Sequence, residues 1–240
     1  MKFRFFHIGC LLFAFACKPD TLLDCVNSTG PVREEKRIIG QFDNLLVDSD
    51  IDVIWHDSSE NLVVVRCGRH LLKKVKTEVE GKTLILKNEN RCNWVRSYDN
   101  PMRIDVYSKA PYLITLKGFG TFTTEDSLKT TPLTIQDYGA GLVNLNVKVG
   151  EFYLDFDSPN DCQVAGETDK AVYSIQRYGK LKAENMVVNQ LILTMKGEND
   201  AWISVRDSVK GNHESQRTVY LKGNPVNRVI KKSSGWFAND

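Results

Sequence analysis

The stretch that decides the fold is PYLITLKGFGTFTT at residues 111–124, together with its near copy PLTIQDYGAGLVNL at residues 132–145. In both stretches apolar and polar residues alternate, break at a glycine turn, and then alternate again. Alternation with a period of two is typical of β-strands. The turn recurs at five positions, with steps of 21, 19, 19 and 20 residues: Gly118, Gly139, Ser158, Arg177 and Gly197.

Positions at a fixed distance from these turns form apolar columns. Four residues before the turns lie Ile114, Ile135, Leu154, Tyr173 and Leu193. Four residues after them lie Phe122, Val143, Cys162, Leu181 and Ala201. A repeat of about 20 residues, here over residues 110–206, is typical of a solenoid, in which each repeat buries its apolar face against its neighbours. Strands with this repeat predict a parallel β-helix-like solenoid in the carboxyl-terminal half.

Asp137 is the exception in a third column, two residues before the turns. The other members of that column are Leu116, Phe156, Ile175 and Met195. Because burying a lone carboxylate is costly, we expect a bulge that turns Asp137 outward or a role in capping the turn. A functional carboxylate is the alternative.

The opposite side of the same strands is also apolar in places. Five residues before the turns lie Leu113, Thr134, Tyr153, Val172 and Ile192. Strands buried on both faces have such continuous apolar sequences, so we expect this stripe to be covered by the amino-terminal β segment or by a second copy of the chain. A surface with scattered apolar residues is the other interpretation.

The rest of the chain continues the pattern from residue 37, with one short helical candidate at about residues 69–75. Residues 37–240 are therefore predicted to form one all-β domain. The chain has 240 residues, of which 42% are hydrophobic and 26% charged, which is a globular composition. It has 32 Lys and Arg against 30 Asp and Glu, a balance that argues against a nucleic-acid partner.

The amino terminus has the features of a targeting segment. Lys2 and Arg4 precede an apolar run that is too short to span a bilayer and is typical of a signal peptide, predicted over residues 1–16. The residues AFAC at 14–17 resemble a bacterial lipoprotein cleavage site, which predicts lipidation of Cys17 and a membrane partner through the lipid anchor. An ordinary signal peptide is the alternative. Residues 17–36 are mostly polar and are predicted to be a tether.

Several stretches together resemble a family of bacterial envelope proteins, the putative autotransporter adhesins with a head GIN domain. They are FDNLLV (42–47), IDV (51–53), LVVV (62–65), LLKKVKTEV (71–79), GKTLIL (81–86) and the glycine turns GFG (118–120) and GAG (139–141). The segment NENRCNWVRSY (88–98), together with DC (24–25) and STG (28–30), is similar to a subset of lipoproteins of the Bacteroidetes. The resemblance implies a right-handed β-helix-like fold, with the amino-terminal β segment completing or covering the solenoid, and an outer-membrane lipoprotein, periplasmic or surface-exposed. It implies little about chemistry.

The same resemblance guides the prediction for the thiols. Cys25 and Cys92 lie in the two segments that it links, so we predict a Cys25–Cys92 disulfide in an exported protein. Cys162 falls in an inward column and Cys67 ends a valine-rich strand, so both are predicted to be buried thiols.

Catalytic and metal-binding motifs were sought, and none was found. His56, His70 and His213 have no metal-ligand spacing, and no cofactor is predicted. Asp155 and Asp157 are two residues apart on one strand, about 6.6 Å, within the carboxyl separation of inverting glycosidases. A polysaccharide-active enzyme is therefore one alternative, and a structural envelope protein is another. The main hypothesis is a non-enzymatic adhesin-like binding module for a glycan or an envelope protein, in which an apolar sheet face could also form a homo-oligomer. Its candidate partner-binding residues are Trp94, Arg96, Tyr98, Trp202 and Tyr153.

Overall fold

The structure, a computed structural model, describes residues 29–90, 102–232 and 235–239. Within these ranges 17 strands form an all-β solenoid, so the predicted fold class is confirmed. The first seven strands are β1 (Val32–Ile38), β2 (Asn44–Asp48), β3 (Asp52–Asp57), β4 (Leu62–Gly68), β5 (Val75–Glu80), β6 (Thr83–Asn88) and β7 (Arg103–Ser108). The others are β8 (Leu113–Leu116), β9 (Phe122–Thr124), β10 (Leu133–Asp137), β11 (Val143–Phe156), β12 (Cys162–Ile175), β13 (Leu181–Met195), β14 (Ala201–His213), β15 (Thr218–Lys222), β16 (Asn227–Lys232) and β17 (Trp236–Asn239). In place of the predicted short helix at residues 69–75 there is one 3-10 turn, Leu72–Lys74.

The strands form two ladders that run along the solenoid. Ladder I contains, in spatial order, β5, β6, β2, β8, β10, the carboxyl-terminal parts of β11 to β14, and β16. Ladder II contains β1, β4, β7, β3, β9, the amino-terminal parts of β11 to β14, β15 and β17. All pairings are parallel except β1–β4, β4–β7 and β5–β6, which are antiparallel. Each turn of the solenoid, or rung, therefore adds one strand to each ladder.

The apolar columns predicted from the repeat are real neighbours across the rungs. In ladder I, Ile114 pairs with Ile135, which pairs with Leu154, and the column continues through Tyr173 and Leu193. In ladder II, the column from Phe122 to Ala201 pairs in the predicted order. No member of either column is more than 2% exposed, so each large side chain contributes about 1.5–3 kcal/mol by burial.

Two glycine turns stack directly on each other where the rungs approach closely. A methyl group at Gly139 would overlap the carbonyl oxygen of Gly118, and one at Gly141 would overlap that of Gly120. The Gly118 oxygen accepts a hydrogen bond from the amide of Ala140 at 2.9 Å. Glycine is therefore required at these turns by the spacing of the rungs.

The amino-terminal β segment completes the solenoid and does not cover it. In ladder I, Leu45 pairs with Ile114, and in ladder II Val53 pairs with Phe122, so β2 and β3 add strands to the ladder edges. The expectation that this segment covers the outer stripe is therefore wrong. Edge pairing satisfies the open backbone groups of β8 and β9, which a segment packed on the face would leave unpaired.

The tether is also shorter than predicted. Strand β1 begins at Val32, inside the segment assigned to the tether, and pairs antiparallel with β4 over its whole length. Its sequence, VREEKRI, is polar because β1 is an edge strand exposed on both faces, and charged residues protect such edges from association. Cys67 of β4 and Cys162 are both buried free thiols, as predicted, and burial raises the pKa of Cys67 to about 11.

Candidate functional site

The outer face of ladder II carries a column of polar and aromatic side chains. Inward and outward residues alternate along each strand, so the residues between the buried columns point to solvent. The column runs through Asn144, Gln163, Lys182, Trp202 and Tyr220, each paired with the next. This face is thus an ordered row of hydrogen-bonding groups that ends in two aromatic rings.

Trp202 and Tyr220 form a stacked pair at the end of this column. Their ring centroids are 5.2 Å apart and the ring planes differ by 11°. Trp202 is half-buried and points outward, as predicted. Since Tyr220 covers one face of the indole, the other face is directed towards the neighbouring rung, which carries Lys182.

A solvent-open groove of about 250 Å³ lies beside these rings, and we call it the amide groove. It is lined by Thr124, Asn144, Leu145, Asn146, Gln163, Val164, Ala165, Lys182, Glu184 and Asn185. Strand β13 makes a bulge here, because Ala183 pairs with Ile203 whereas Val187 pairs with the next residue, Ser204. The three extra residues, 184–186, form one wall of the groove. Bulges commonly redirect side chains in this way beside binding sites.

The charges in the amide groove are unequally paired. Lys182 forms an ion pair with Asp161, with 2.8 Å between Nζ and Oδ2. Burial alone would raise the pKa of Asp161, but hydrogen bonds from Lys182 and from the Lys180 amide lower it below its usual value. Glu184 Oε2 is buried, and no described residue gives it a hydrogen-bond partner. One carboxylate oxygen is therefore available to a ligand in the groove.

A second, larger groove of about 470 Å³ is mostly occupied by its own ion pairs. Lys148 contacts Glu167 at 2.7 Å between Nζ and Oε1. Arg206 donates to Asn189, and Asn189 donates to Asp169 at 3.0 Å. All five of these residues line the groove, so its polar groups are largely paired with one another.

Asp137 lies in the core and caps a turn. It is 1% exposed, and its Oδ1 accepts a hydrogen bond from the Gly139 amide at 3.2 Å. The predicted capping role is confirmed, whereas the predicted bulge is absent, since Asp137 pairs in regular register with Leu116 and Phe156. Burial raises the pKa of Asp137 to about 7, against hydrogen bonds from Gly139 and Ser158 that lower it.

A cavity of about 10 Å³ adjoins Asp137, among apolar residues and the glycine turns. The second carboxyl oxygen, Oδ2, has no hydrogen-bond partner among the described residues. A cavity of this size is about that of one water molecule. Asp137 is thus a structural carboxyl group in the core, with no surface that a substrate could reach.

The pair Asp155 and Asp157 does not form a catalytic arrangement. Asp155 accepts hydrogen bonds from Tyr138 at 2.8 Å and from Gln176 at 3.1 Å, and the first raises the pKa of Tyr138 to about 12. Asp157 forms an ion pair with Arg177 at 2.6 Å. Neither carboxylate lines either groove described above, so the geometry gives no support to hydrolysis at this pair.

The outer stripe of ladder I is partly exposed in the single chain. Tyr153 is 39% exposed and Ile192 45%, while Leu113 and Val172 are half-buried. Polar columns border the stripe, with Glu151, Lys170 and Gln190 on one side and Asp155, Ser174 and Thr194 on the other. An apolar patch with a polar rim is typical of an interaction surface.

The other candidate residues lie outside the described ranges. These are Cys17, Cys25, Cys92, Trp94, Arg96 and Tyr98. Among the described residues, no group of three or more His, Cys, Asp or Glu side chains could hold a metal ion. His56 contacts Asp105 at 3.2 Å and stacks on Tyr107, a structural arrangement. In the same ranges, no helix has the length and apolar character needed to cross a bilayer.

The amide groove was missed by the sequence interpretation. Its amides look like ordinary solvated positions within each strand, and only their alignment across rungs distinguishes them. The spacing of Asn144, Gln163 and Asn185, by 19 and 22 residues, was a usable signal, because the irregular step marks the bulge.

Comparison with known proteins places the chain among adhesin-like proteins. Residues 41–225 match the family model described as putative auto-transporter adhesin, head GIN domain. A putative adhesin from Bacteroides fragilis has a similar structure, with a TM-score of 0.78 and 17% identity over 88% of this chain and 97% of that one. A putative lipid binding protein from Parabacteroides distasonis gives 0.63 and 20% identity, over 88% and 98% of the two chains. These likenesses show the fold, and no curated protein sequence matches the chain.

Proposed function

The chain belongs to the putative auto-transporter adhesin family with a head GIN domain, and from this premise we propose that it is a non-enzymatic adhesion module of the bacterial envelope. The observation that supports it best is the outer face of ladder II. There a rigid stack of strands presents the Trp202–Tyr220 pair next to an open polar groove. Rigid scaffolds with few mobile side chains reduce the entropy lost on binding, which suits a binding module.

The proposal includes a lipid anchor at Cys17. The signal-like segment and the small residues before Cys17 support it. The first strand begins 15 residues later, at Val32, so the intervening chain could extend up to about 50 Å at ~3.3 Å per residue. Such a reach would let the solenoid contact partners beyond the lipid headgroups.

A second candidate function is a structural envelope protein that associates through the outer stripe of ladder I. The exposure of Tyr153 and Ile192 on a flat sheet face favours it. This function needs no ligand in the grooves, and it predicts self-association at micromolar concentration.

The proposed function is tested with full-length protein produced in a bacterial host and purified in detergent. Arrays of glycans and of envelope proteins would report a ligand, and mass spectrometry of each ligand before and after incubation would report any chemical change. The proposal predicts saturable binding with the ligand recovered unchanged. Absence of binding on both arrays, or cleavage of a bound polysaccharide, would contradict it.

A further inference from the structure

We propose that the amide groove binds an uncharged, hydroxyl-rich glycan, with the free face of Trp202 as the stacking surface beside it. This proposal rests on the proposed function of the chain as an adhesion module. It adds the place of binding and the chemical class of the ligand.

The hydrogen-bonding groups of the groove suit sugar hydroxyls. Four amide side chains line it, those of Asn144, Asn146, Gln163 and Asn185. An amide offers a carbonyl acceptor and two N–H donors, and a hydroxyl group both donates and accepts. Within the described residues the side chains of Asn146, Gln163 and Asn185 make no hydrogen bond, and Asn144 makes only a long one of 3.5 Å to Thr123. These groups are therefore free to pair with a ligand.

The charge distribution selects against anionic ligands. Lys182 is neutralised by Asp161, so the groove has no unpaired cation. Glu184 Oε2 points into the buried wall without a partner and would accept a hydrogen bond from a ligand hydroxyl. Hydrogen bonds to a charged acceptor are stronger than neutral ones, and a ligand carboxylate at this point would be repelled.

Trp202 supplies the apolar contact that a polar groove lacks. It lies one strand from Lys182, and neighbouring strands are ~4.8 Å apart. Its stacking on Tyr220 fixes the indole, so little side-chain entropy would be lost when a sugar ring packs on the remaining face. The groove volume of about 250 Å³ is slightly below that of typical small-molecule pockets, which suits one or two sugar units of a longer chain.

The larger groove is the less suitable site, because its groups are already paired. Its Lys148–Glu167 ion pair and its Arg206–Asn189–Asp169 chain would have to be broken before a ligand could bind. The amide groove requires no such exchange.

The test is a glycan array that carries uncharged, acidic and amino sugars, probed with the full-length protein in detergent. The strongest ligand is then titrated by calorimetry against the wild type and the variants Glu184→Gln, Asn185→Ala and Trp202→Ala. The matched control is Asn212→Ala, which removes an exposed strand amide from the outer face of ladder I. Urea unfolding of each variant confirms that it is folded, and Glu184→Gln changes charge with almost no change in shape.

We expect uncharged glycans to bind, with about tenfold weaker binding for Glu184→Gln and Asn185→Ala, a larger loss for Trp202→Ala, and no change for Asn212→Ala. Preferred binding of acidic glycans would overturn the proposal, as would groove variants that bind like the wild type. Binding of an envelope protein without any glycan would overturn this proposal and leave the adhesion function standing. No binding of either kind would remove both.

Discussion

Replacing Asp137 by asparagine should make the protein more stable above neutral pH and leave it nearly unchanged in acid. Asn has the same shape, can accept the Gly139 hydrogen bond, and cannot ionise. The wild-type carboxyl is buried between Leu116 and Phe156, with its pKa raised from 3.8 to about 7, mainly by burial. The folded state therefore binds the proton more tightly than the unfolded state does.

The sign and size of the effect follow from this difference. The stabilisation from protonated Asp137 is fully present below pH 3.8 and is lost as the pH rises through about 7. One pKa unit corresponds to about 1.4 kcal/mol, so the shift of about three units gives a total of roughly 4 kcal/mol between pH 3 and pH 8. We expect the Asn variant to exceed the wild type by about 2–4 kcal/mol at pH 8.5, since some of the cost relaxes when water enters the adjoining cavity.

Urea unfolding at pH 4.5, 6.5 and 8.5 measures this difference. The control is Asp155→Asn, which removes a half-buried carboxylate from the outer face of the same ladder and should not produce the same trend. If the difference in unfolding free energy between the wild type and Asp137→Asn is the same at all three pH values, the carboxyl does not titrate near neutrality and the reasoning is refuted.

Three further predictions concern single sites. Tyr173→Phe should raise the free energy of unfolding by about 1 kcal/mol, because the buried Tyr173 hydroxyl has no hydrogen-bond partner in the described part of the chain; a loss in urea unfolding would show an unseen partner. Tyr153→Lys with Ile192→Lys should leave the fold intact and abolish self-association in analytical ultracentrifugation, and an unchanged mass would show that the stripe is ordinary surface. Non-reducing peptide mapping should recover a Cys25–Cys92 disulfide and a lipidated Cys17; Cys25 that is freely alkylated in the native protein would exclude the pairing.

The solenoid could be predicted from sequence because its core repeats. Residues such as Ile135 and Leu154 occupy the same place in successive rungs, so one structural requirement is written five times. The turn glycines at Gly118 and Gly139 add a second repeated requirement, since no side chain fits between the stacked turns.

Features without repetition could not be predicted in this way. Strand β1 has no apolar alternation, because its pairing with β4 is made by backbone groups and its side chains face solvent. The orientation of Asp137 depends on whether capping Gly139 offsets burial, which a residue pattern does not reveal. The amide groove depends on the bulge at residues 184–186, which appears in the sequence only as a longer step between repeats.

The central claim is that this chain binds its partner, without chemistry, through the outer face of ladder II. The most direct test is the affinity of Trp202→Ala for the strongest ligand found on the arrays, compared with Tyr178→Ala, which removes another exposed aromatic ring from a turn of the solenoid. The account predicts at least a tenfold loss for Trp202→Ala, wild-type affinity for Tyr178→Ala, and a ligand of unchanged mass. Equal affinity for Trp202→Ala and the wild type would contradict it.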